Sequence, residues 1–209
     1  MVGPFPPGAL ARRFADPRLL PSVILLAVAL ASLTALLWPL LPFSAAEAQR
    51  SVVGPTRVGV VTKQLEAPGA AGEVGRPAPD FAWLTPDGTT VRLSDLRGAT
   101  VVVNFWATWC EPCRVEMPEL ERAARADRSV RVLAVDLDES GDKIRAFFDR
   151  LALETLTPLL DIGSQTTRRF GVVSLPTTFF VGPDGIVRHV EIGGPMSAET
   201  IRRGIEKAR

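Results

Sequence analysis

The sequence predicts an α/β fold with a mixed central sheet and helices on both faces, preceded by one transmembrane helix. Three observations predict it. The β-branched run Val101–Val103 ends shortly before a helical pattern that begins near Glu111, and another strand pattern follows at Val130–Asp136. Later, two strand patterns flank the turn Pro183-Asp184-Gly185 and a helix follows them, which completes a mixed sheet with helical cover. The third observation is the apolar stretch at residues 19–43.

Residues 19–43 carry no charge and are almost wholly apolar from Val23 to Leu41. At about 1.5 Å per residue, such a helix crosses a hydrocarbon core of roughly 30 Å. Residues 1–18 contain three arginines, and basic residues favour the cytoplasmic side of a membrane. We therefore predict a single-pass protein of the cell membrane, with residues 1–18 in the cytoplasm and the catalytic domain extracytoplasmic.

A cleaved signal sequence is the alternative interpretation of residues 19–43. Ala46-Glu47-Ala48 fits a small-x-small cleavage site. The apolar region of a signal peptide is usually shorter, about 7–15 residues, so we favour an uncleaved anchor. Cleavage after Ala48 stays open.

Residues 44–74 are predicted to be a flexible linker. They combine Gly, Pro, Ala and scattered charges, and Gly54-Pro55 and Pro68-Gly69 interrupt regular structure. Within them, only Val58–Thr62 has the pattern of a short strand. The folded domain is predicted over residues 75–209. The net charge of +1 gives no electrostatic case for binding nucleic acid.

The spacing of apolar residues predicts the elements of this domain in order. The turn Pro86-Asp87-Gly88 between two short β patterns indicates a hairpin, and apolar residues at three- and four-residue steps after Asp142 indicate an amphipathic helix. Ser197 is a helix cap. The predicted strands are Phe81–Leu84, Thr90–Leu93, Val101–Phe105, Val130–Asp136, Thr157–Leu160, Thr177–Val181 and Ile186–Ile192, and the predicted helices are Glu111–Ala126, Asp142–Leu151, Gln165–Phe170 and Ser197–Lys207.

The only two cysteines, Cys110 and Cys113, lie where the predicted helix at Glu111 begins. Two residues separate them, so they lie roughly one turn apart on one face and can form a small disulfide ring or a dithiol. A thiolate at Cys110 meets the free N–H groups and the positive end of the helix dipole, which lower its pKa. Pro112 suits the first helical turn. Cys113 is then the resolving thiol that attacks a mixed disulfide at Cys110.

Two other interpretations of this cysteine pair compete with redox chemistry. A structural zinc site needs about four ligands, and the chain offers two cysteines and one distant histidine, His189. An inert structural disulfide would constrain little of the unfolded chain, because the ring is so short. We favour redox chemistry and predict no metal site. Because Glu111 disfavours a neighbouring thiolate, we expect a more reducing couple than in strongly oxidising proteins with this spacing.

The segment around the cysteines resembles the membrane-anchored thiol–disulfide oxidoreductases of the TlpA/ResA-like group, with a redoxin or AhpC/TSA-like domain. The resemblance extends from about Gly75 to Arg209. It implies a thioredoxin-like fold with an extra N-terminal β-hairpin, and an enzyme without a cofactor. The residues that carry it are Asn104-Phe105-Trp106-Ala107, Trp109-Cys110-Glu111-Pro112-Cys113, Pro79-Asp80-Phe81, Leu93-Ser94-Asp95-Leu96-Arg97-Gly98 and Leu175-Pro176-Thr177-Thr178-Phe179.

The same resemblance implies roles for the neighbours of the dithiol. Leu175-Pro176 matches a cis-proline loop that leaves the Leu175 backbone open to an extended substrate. Glu116, one helical turn after Cys113, is predicted to be catalytic, because a buried acid there could exchange protons with that thiol; an exposed helix glutamate is the alternative. Thioredoxin has a buried aspartate where this chain has Asn104, so a proton relay would pass through Glu116. The predicted substrate-binding residues are Trp109, Glu111, Pro112, Leu175 and Pro176.

The resemblance implies an enzyme that reduces disulfides in client proteins, with apocytochrome c as one candidate client in cytochrome c biogenesis. A membrane protein would supply the electrons. The alternatives are a disulfide-forming oxidant and a peroxide-reducing redoxin. Pro79-Asp80-Phe81 suggests the redoxin, but Val103 and Ala107 stand where a peroxidatic motif has Pro and Thr. A non-enzymatic, membrane-tethered binding module is the least favoured interpretation.

Overall fold

The computed structural model describes residues 57–66 and 69–209, together with Ser32, which lies in a helix. The chain divides into two compact units, Met1–Gly54 and Pro55–Arg209. Apart from Ser32, the predicted transmembrane span at 19–43 lies outside the described residues. Within the described part of the chain, no helix has the length and apolar character needed to cross a membrane.

The unit from Pro55 to Arg209 is built on one mixed sheet. The strands described are β1 (Gly59–Gln64), β2 (Phe81–Leu84), β3 (Thr90–Arg92), β4 (Thr100–Trp106), β5 (Val130–Asp136), β6 (Thr157–Leu160), β7 (Thr177–Val181) and β8 (Val187–Ile192). They lie in the order β3-β2-β1-β6-β5-β4-β7-β8. Pairing is parallel from β1 through β6 and β5 to β4, and antiparallel elsewhere. The predicted mixed sheet and the β2–β3 hairpin are confirmed.

The helices begin where side chains cap them. Ser140 and Ser197 each accept a hydrogen bond from the backbone N–H three residues on, which satisfies a donor that has no partner inside the helix. All four helices agree with the predicted ranges to within about one residue. They are α1 (Glu111–Ala126), α2 (Gly141–Leu151), α3 (Gln165–Arg169) and α4 (Ala198–Ala208), and short 3-10 helices lie at Leu93–Leu96 and Ile162–Ser164.

Strand β4 is buried along its whole length, so its alternating side chains contribute to two cores. On one face, Val102 and Trp106 join buried side chains of α1, α2 and α4. On the other face, Val103 and Phe105 join a cluster that contains Phe170, the residue after α3. The three longer helices therefore cover one face of the sheet, and the chain around α3 closes the other.

The predicted linker at residues 44–74 is wrong in part, because β1 lies in the sheet between β2 and β6. The predicted short strand at Val58–Thr62 is found at Gly59–Gln64. Leu65 N–H donates to the Asp80 carbonyl at 3.0 Å, and Arg169 donates to the Leu65 carbonyl at 3.2 Å. These bonds fix the segment to the body of the domain. The folded domain thus begins before residue 75.

Candidate active site

The two cysteines form a disulfide at the N-terminus of α1, with their Cα atoms 5.3 Å apart. β4 ends at Trp106, a tight turn follows, and Cys110 is the N-cap residue of α1 with extended backbone angles. The Cys110 Sγ accepts a hydrogen bond from the Cys113 N–H at 3.3 Å. The sulfur therefore sits against the free N–H groups of the helix, where a thiolate is stabilised.

Of the two cysteines, Cys110 is the one that reaches the surface. It is 6% exposed, whereas Cys113 is fully buried. Cys110 lines a cavity of about 470 Å³ whose other walls are largely apolar. Trp109 and Val173 on its rim are 65% and 92% exposed. The cavity is lined by Trp109, Cys110, Glu111, Pro112, Leu137, Thr167, Val172, Val173, Ser174 and Leu175.

The loop before β7 faces this helix end because β7 runs antiparallel to β4, which brings Thr177 beside Phe105. The Leu175–Pro176 peptide bond is cis, as the sequence resemblance implies. The Pro176 carbonyl accepts a hydrogen bond from the Gly193 N–H at 2.8 Å. Within residues 57–66 and 69–209, the N–H and C=O of Leu175 pair with no other backbone group. They remain open to a bound extended segment.

Glu116 is fully buried, which the prediction of a catalytic acid requires. Its Oε1 accepts a hydrogen bond from the Asn104 side chain at 2.8 Å, and its Oε2 accepts one from the Met196 N–H at 3.0 Å. Burial raises the pKa of Glu116 to about 7, although these two hydrogen bonds act in the opposite direction. Near neutral pH this carboxyl can therefore both give and take a proton.

Gly194 brings the proline loop and the buried acid together. A Cβ atom at this position would lie 2.7 Å from Pro176 Cγ and 2.8 Å from Glu116 Oε2, distances that packed atoms do not tolerate. A residue without a side chain is therefore needed between them. Gly194 thus joins the Pro176 loop to the acid one turn beyond Cys113.

Residues 74–190 of the chain match the AhpC/TSA family, and this match covers more than half of the sequence. The chain belongs to the AhpC/TSA family. It is 37% identical to the thiol-disulfide oxidoreductase ResA of Geobacillus kaustophilus over 138 residues, which cover 65% of this chain and 78% of that protein. It is 32% identical to ResA of Bacillus thuringiensis over 137 residues, with the same coverage of both chains.

The solved structures similar to this AhpC/TSA family member carry related names. A putative thiol:disulfide interchange protein DsbE from Chlorobium tepidum matches with a TM-score of 0.56 and 32% identity, over 65% of this chain and 97% of the other. The predicted thioredoxin-like fold and the resemblance to ResA are confirmed. The predicted enzyme class, thiol–disulfide oxidoreductase, is confirmed with them.

In this AhpC/TSA domain, most of the predicted site residues come together. Trp109, Glu111, Pro112 and Leu175 line the cavity beside Cys110. Pro176 is buried and lies close to Gly194, which also lies close to the Glu116 carboxylate. Glu111 points outward and pairs with Arg114 at 2.9 Å, which offsets part of its charge. Their roles in binding and catalysis stay predictions.

A second group of polar residues at the site was not predicted from the sequence. Glu139 accepts hydrogen bonds from the N–H and the hydroxyl of Thr108, at 2.6 and 2.7 Å. Asp136, at the end of β5, accepts one from the Glu139 N–H at 2.8 Å. The signal available in the sequence is the acidic run Asp136-Leu137-Asp138-Glu139 directly after a strand parallel to β4, because such strand ends meet at one edge of a sheet.

Proposed function

We propose that this protein is an extracytoplasmic thiol–disulfide oxidoreductase, anchored by residues 19–43, that reduces the disulfides of client proteins. The observation that carries the proposal is the Cys110–Cys113 pair at the N-terminus of α1, with Cys110 lining an open, largely apolar cavity. Family membership and relatives named thiol-disulfide oxidoreductase support the same reaction. The extracytoplasmic location rests on the apolar segment and the arginines before it.

The reaction exchanges one disulfide for another in two steps. The Cys110 thiolate attacks one sulfur of the client disulfide, forms a mixed disulfide and releases the first client thiolate. The Cys113 thiolate then attacks the Cys110 sulfur, which releases the second client thiolate and leaves the Cys110–Cys113 disulfide. Two electrons pass to the client. Each released thiolate takes up one proton, and the protons lost by Cys110 and Cys113 balance them.

Glu116 serves the second step. Cys113 is fully buried and must lose its proton to become a nucleophile. Glu116 lies one turn further along the same helix face and has a pKa of about 7, so it can accept that proton at neutral pH and return it when the dithiol is restored. Asn104 and Met196 hold its carboxyl in place.

The client lies along the open backbone of Leu175, with its apolar side chains against Trp109 and Val173. The chain has only two cysteines, so the oxidised site must receive two electrons from another protein. We propose a membrane electron carrier as the donor, because the site would stand outside the cytoplasm. Apocytochrome c is the client that the family resemblance favours, since its cysteine pair must be reduced before haem attachment.

Insulin reduction in the presence of dithiothreitol tests the reaction. The wild-type chain should accelerate precipitation of insulin, and Cys110→Ser should reduce the rate to that of dithiothreitol alone. Equal rates for the two proteins would reject the enzymatic proposal. Equilibration with glutathione buffers tests the direction: a potential below about −200 mV fits a reductant, whereas one near about −120 mV indicates an oxidant.

Trapping in the native membrane tests for clients. Cys113→Ser removes the resolving thiol and should hold clients as mixed disulfides on Cys110, to be identified by mass spectrometry after nonreducing separation. The matched control carries Cys110→Ser and Cys113→Ser together and should capture none. Capture of the same proteins by both variants would contradict the proposal.

A further inference from the structure

Glu139 binds the turn that carries the reactive cysteine. Its side chain is only 5% exposed, and it follows the C-terminal end of β5, the strand parallel to β4. Oε2 accepts the Thr108 N–H at 2.6 Å and Oε1 accepts the Thr108 hydroxyl at 2.7 Å. Both carboxylate oxygens thus accept hydrogen bonds from Thr108, which lies two positions before Cys110. Charge-assisted bonds of this length are among the stronger hydrogen bonds in proteins.

Two backbone hydrogen bonds also hold the turn between Trp106 and Cys110 in place. The Leu137 N–H donates to the Trp106 carbonyl at 3.0 Å, and the Cys110 N–H donates to the Ala107 carbonyl at 3.2 Å. The chain after β5 therefore holds the turn at its start through Leu137 and at its middle through Glu139. The end of the turn is the N-cap whose sulfur accepts the Cys113 N–H.

We propose that Glu139 is a positioning residue for Cys110: by holding Thr108 through both carboxylate oxygens, it keeps the Cys110 sulfur at the N-terminus of α1. This inference rests on the proposed function, because it concerns the reactivity of the same sulfur. The hydrogen bonds and the ion pair of Glu139 go to Thr108, Asp136 and Lys143 and to neither cysteine, so Glu139 acts through the turn.

Asp136 supports this arrangement. It is fully buried, its Oδ1 accepts the Glu139 N–H at 2.8 Å, and its Oδ2 has no hydrogen-bond partner among the described residues. Burial, with the nearby charges of Glu139 and Asp138, raises the pKa of Asp136 to about 8. The raised pKa favours the neutral form of Asp136, which leaves the negative charge of the two carboxyl groups on Glu139.

Glu139 itself is kept in its ionised form. Burial alone would raise its pKa, but the hydrogen bonds from Thr108, the neighbouring Asp136 side chain and the charge of Lys143, 3.7 Å away, hold the pKa of Glu139 below its ordinary value. Besides each other, the carboxyl groups of Asp136 and Glu139 face two charged side chains, Asp138 and Lys143. An ionised carboxylate accepts at both oxygens, which is the form that the two Thr108 bonds require.

A positioning role and a simple charge effect predict opposite results for Glu139→Gln. Removing a negative charge near a thiolate would make Cys110 more reactive at pH 7. Releasing the turn would instead move the sulfur away from the helix N-terminus and make it less reactive. The amide of Gln can accept from the Thr108 N–H and donate to the Thr108 hydroxyl, but these neutral hydrogen bonds are weaker than the charge-assisted ones that they replace, so the turn is held less firmly. Thr108→Val removes the hydroxyl without changing any charge.

The test measures alkylation of Cys110 by iodoacetamide as a function of pH, in the full-length chain with Cys113→Ser, which leaves a single thiol. We expect Glu139→Gln and Thr108→Val each to shift the profile to higher pH and to slow alkylation at pH 7 at least about threefold, because only the thiolate reacts. The control is Asp142→Asn on α2. Asp142 is exposed and pairs with Arg145, so its loss changes the same charge without touching the turn and should leave the profile in place.

Faster alkylation of Glu139→Gln at pH 7, or an unchanged profile for Thr108→Val, overturns the inference. If circular dichroism shows that Glu139→Gln does not fold, Thr108→Val decides by itself. Insulin reduction separates this result from the proposed function. An unchanged alkylation profile in Thr108→Val, together with lost insulin reduction in Cys110→Ser, would reject the positioning role alone. Full insulin reduction by Cys110→Ser would reject the proposed function itself.

Discussion

Glu116 shows how one buried side chain acquires a function from its surroundings. Its carboxyl is removed from water but receives two hydrogen bonds, from Asn104 and from the Met196 N–H. Two donors do not replace full hydration, so the proton is held to about pH 7. Because Glu116 lies one turn after Cys113, we propose that its carboxyl exchanges a proton with the Cys113 thiol when the mixed disulfide is resolved.

The free energy of unfolding should depend on pH because Glu116 binds its proton more tightly in the folded protein. The folded-state pKa of Glu116, about 7, lies above the ordinary value of 4.5, so the folded protein binds the proton more tightly than the unfolded chain. The stabilisation is complete below pH 4.5 and is lost as the pH rises through 7. Glu116→Gln stays neutral throughout. Relative to wild type, we therefore expect it to gain on the order of 2–3 kcal/mol between pH 4.5 and pH 8 in urea unfolding.

The control for this prediction is Glu119→Gln, on the next turn of α1. Glu119 is partly exposed, and its surface ion pair with Arg122 contributes little to stability, so its substitution should change stability by a similarly small amount at both pH values. An equal offset between Glu116→Gln and wild type at pH 4.5 and pH 8 would show that the buried acid does not retain its proton.

At the scale of the elements, the sequence predicts α1 from Glu111 to Ala126, and the structure has the same bounds. Its start is a local matter: Cys110 caps it and Pro112 fits its first turn. The contacts of the site are different. Glu139 lies 31 residues from Thr108, and Met196 lies 80 residues from Glu116. Hydrogen bonds at such separations depend on which strands become neighbours in the sheet. The spacing of apolar residues along the chain predicts the strands but not their order in the sheet.

The close packing of α4 against the sheet likewise cannot be predicted from the sequence pattern of the helix alone. Gly204 stands in the middle of α4, where glycine weakens a helix by about 1 kcal/mol relative to alanine. A Cβ at this position would lie 2.4 to 2.7 Å from ring atoms of Phe180, which is itself fully buried on β7. The glycine therefore lets the helix approach the sheet.

Gly204→Ala should destabilise the protein in spite of its better helix propensity. The added methyl group forces α4 and the Phe180 ring apart, and overpacking of this kind costs typically about 1–3 kcal/mol. Thermal unfolding measures the loss. Gly141→Ala at the start of α2 is the matched control: nothing lies within 4 Å of its Cβ position, and the gain should be up to about 1 kcal/mol. Equal melting temperatures for the two variants would refute the close-approach explanation.

At the scale of the whole molecule, the boundary of the folded domain is where the sequence misleads. Residues 75–209 contain every strongly periodic segment, whereas β1 reads Gly-Val-Val-Thr-Lys-Gln, with two large apolar side chains. Its place in the sheet depends on β6, about a hundred residues later, with which it pairs in parallel. The family match, which begins at residue 74, also leaves this strand outside.

β1 is nevertheless the link between the β2–β3 hairpin and the rest of the sheet. It forms four residue pairings with β2 and two with β6. A Cβ at Gly59 would lie 2.8 Å from Leu159 and 3.2 Å from Trp83, so the strand backbone covers both side chains closely. Trp83 is only 3% exposed. Without β1, the hairpin would have no strand to join and Trp83 would lose its cover.

A chain that begins at residue 75 should therefore be much less stable than one that begins at residue 56. At about 1 kcal/mol for each lost hydrogen bond and about 25 cal/mol for each Å² of Trp83 that becomes exposed, we expect a loss of at least about 3 kcal/mol. Urea unfolding followed by tryptophan fluorescence measures it, because Trp83 is one of the three tryptophans that both chains retain and its emission should shift to the red in the shorter chain. The chain from residue 56 retains β1 and serves as the matched control. Equal unfolding midpoints for the two chains would show that residues 57–66 are a tether after all, attached to the sheet without stabilising it.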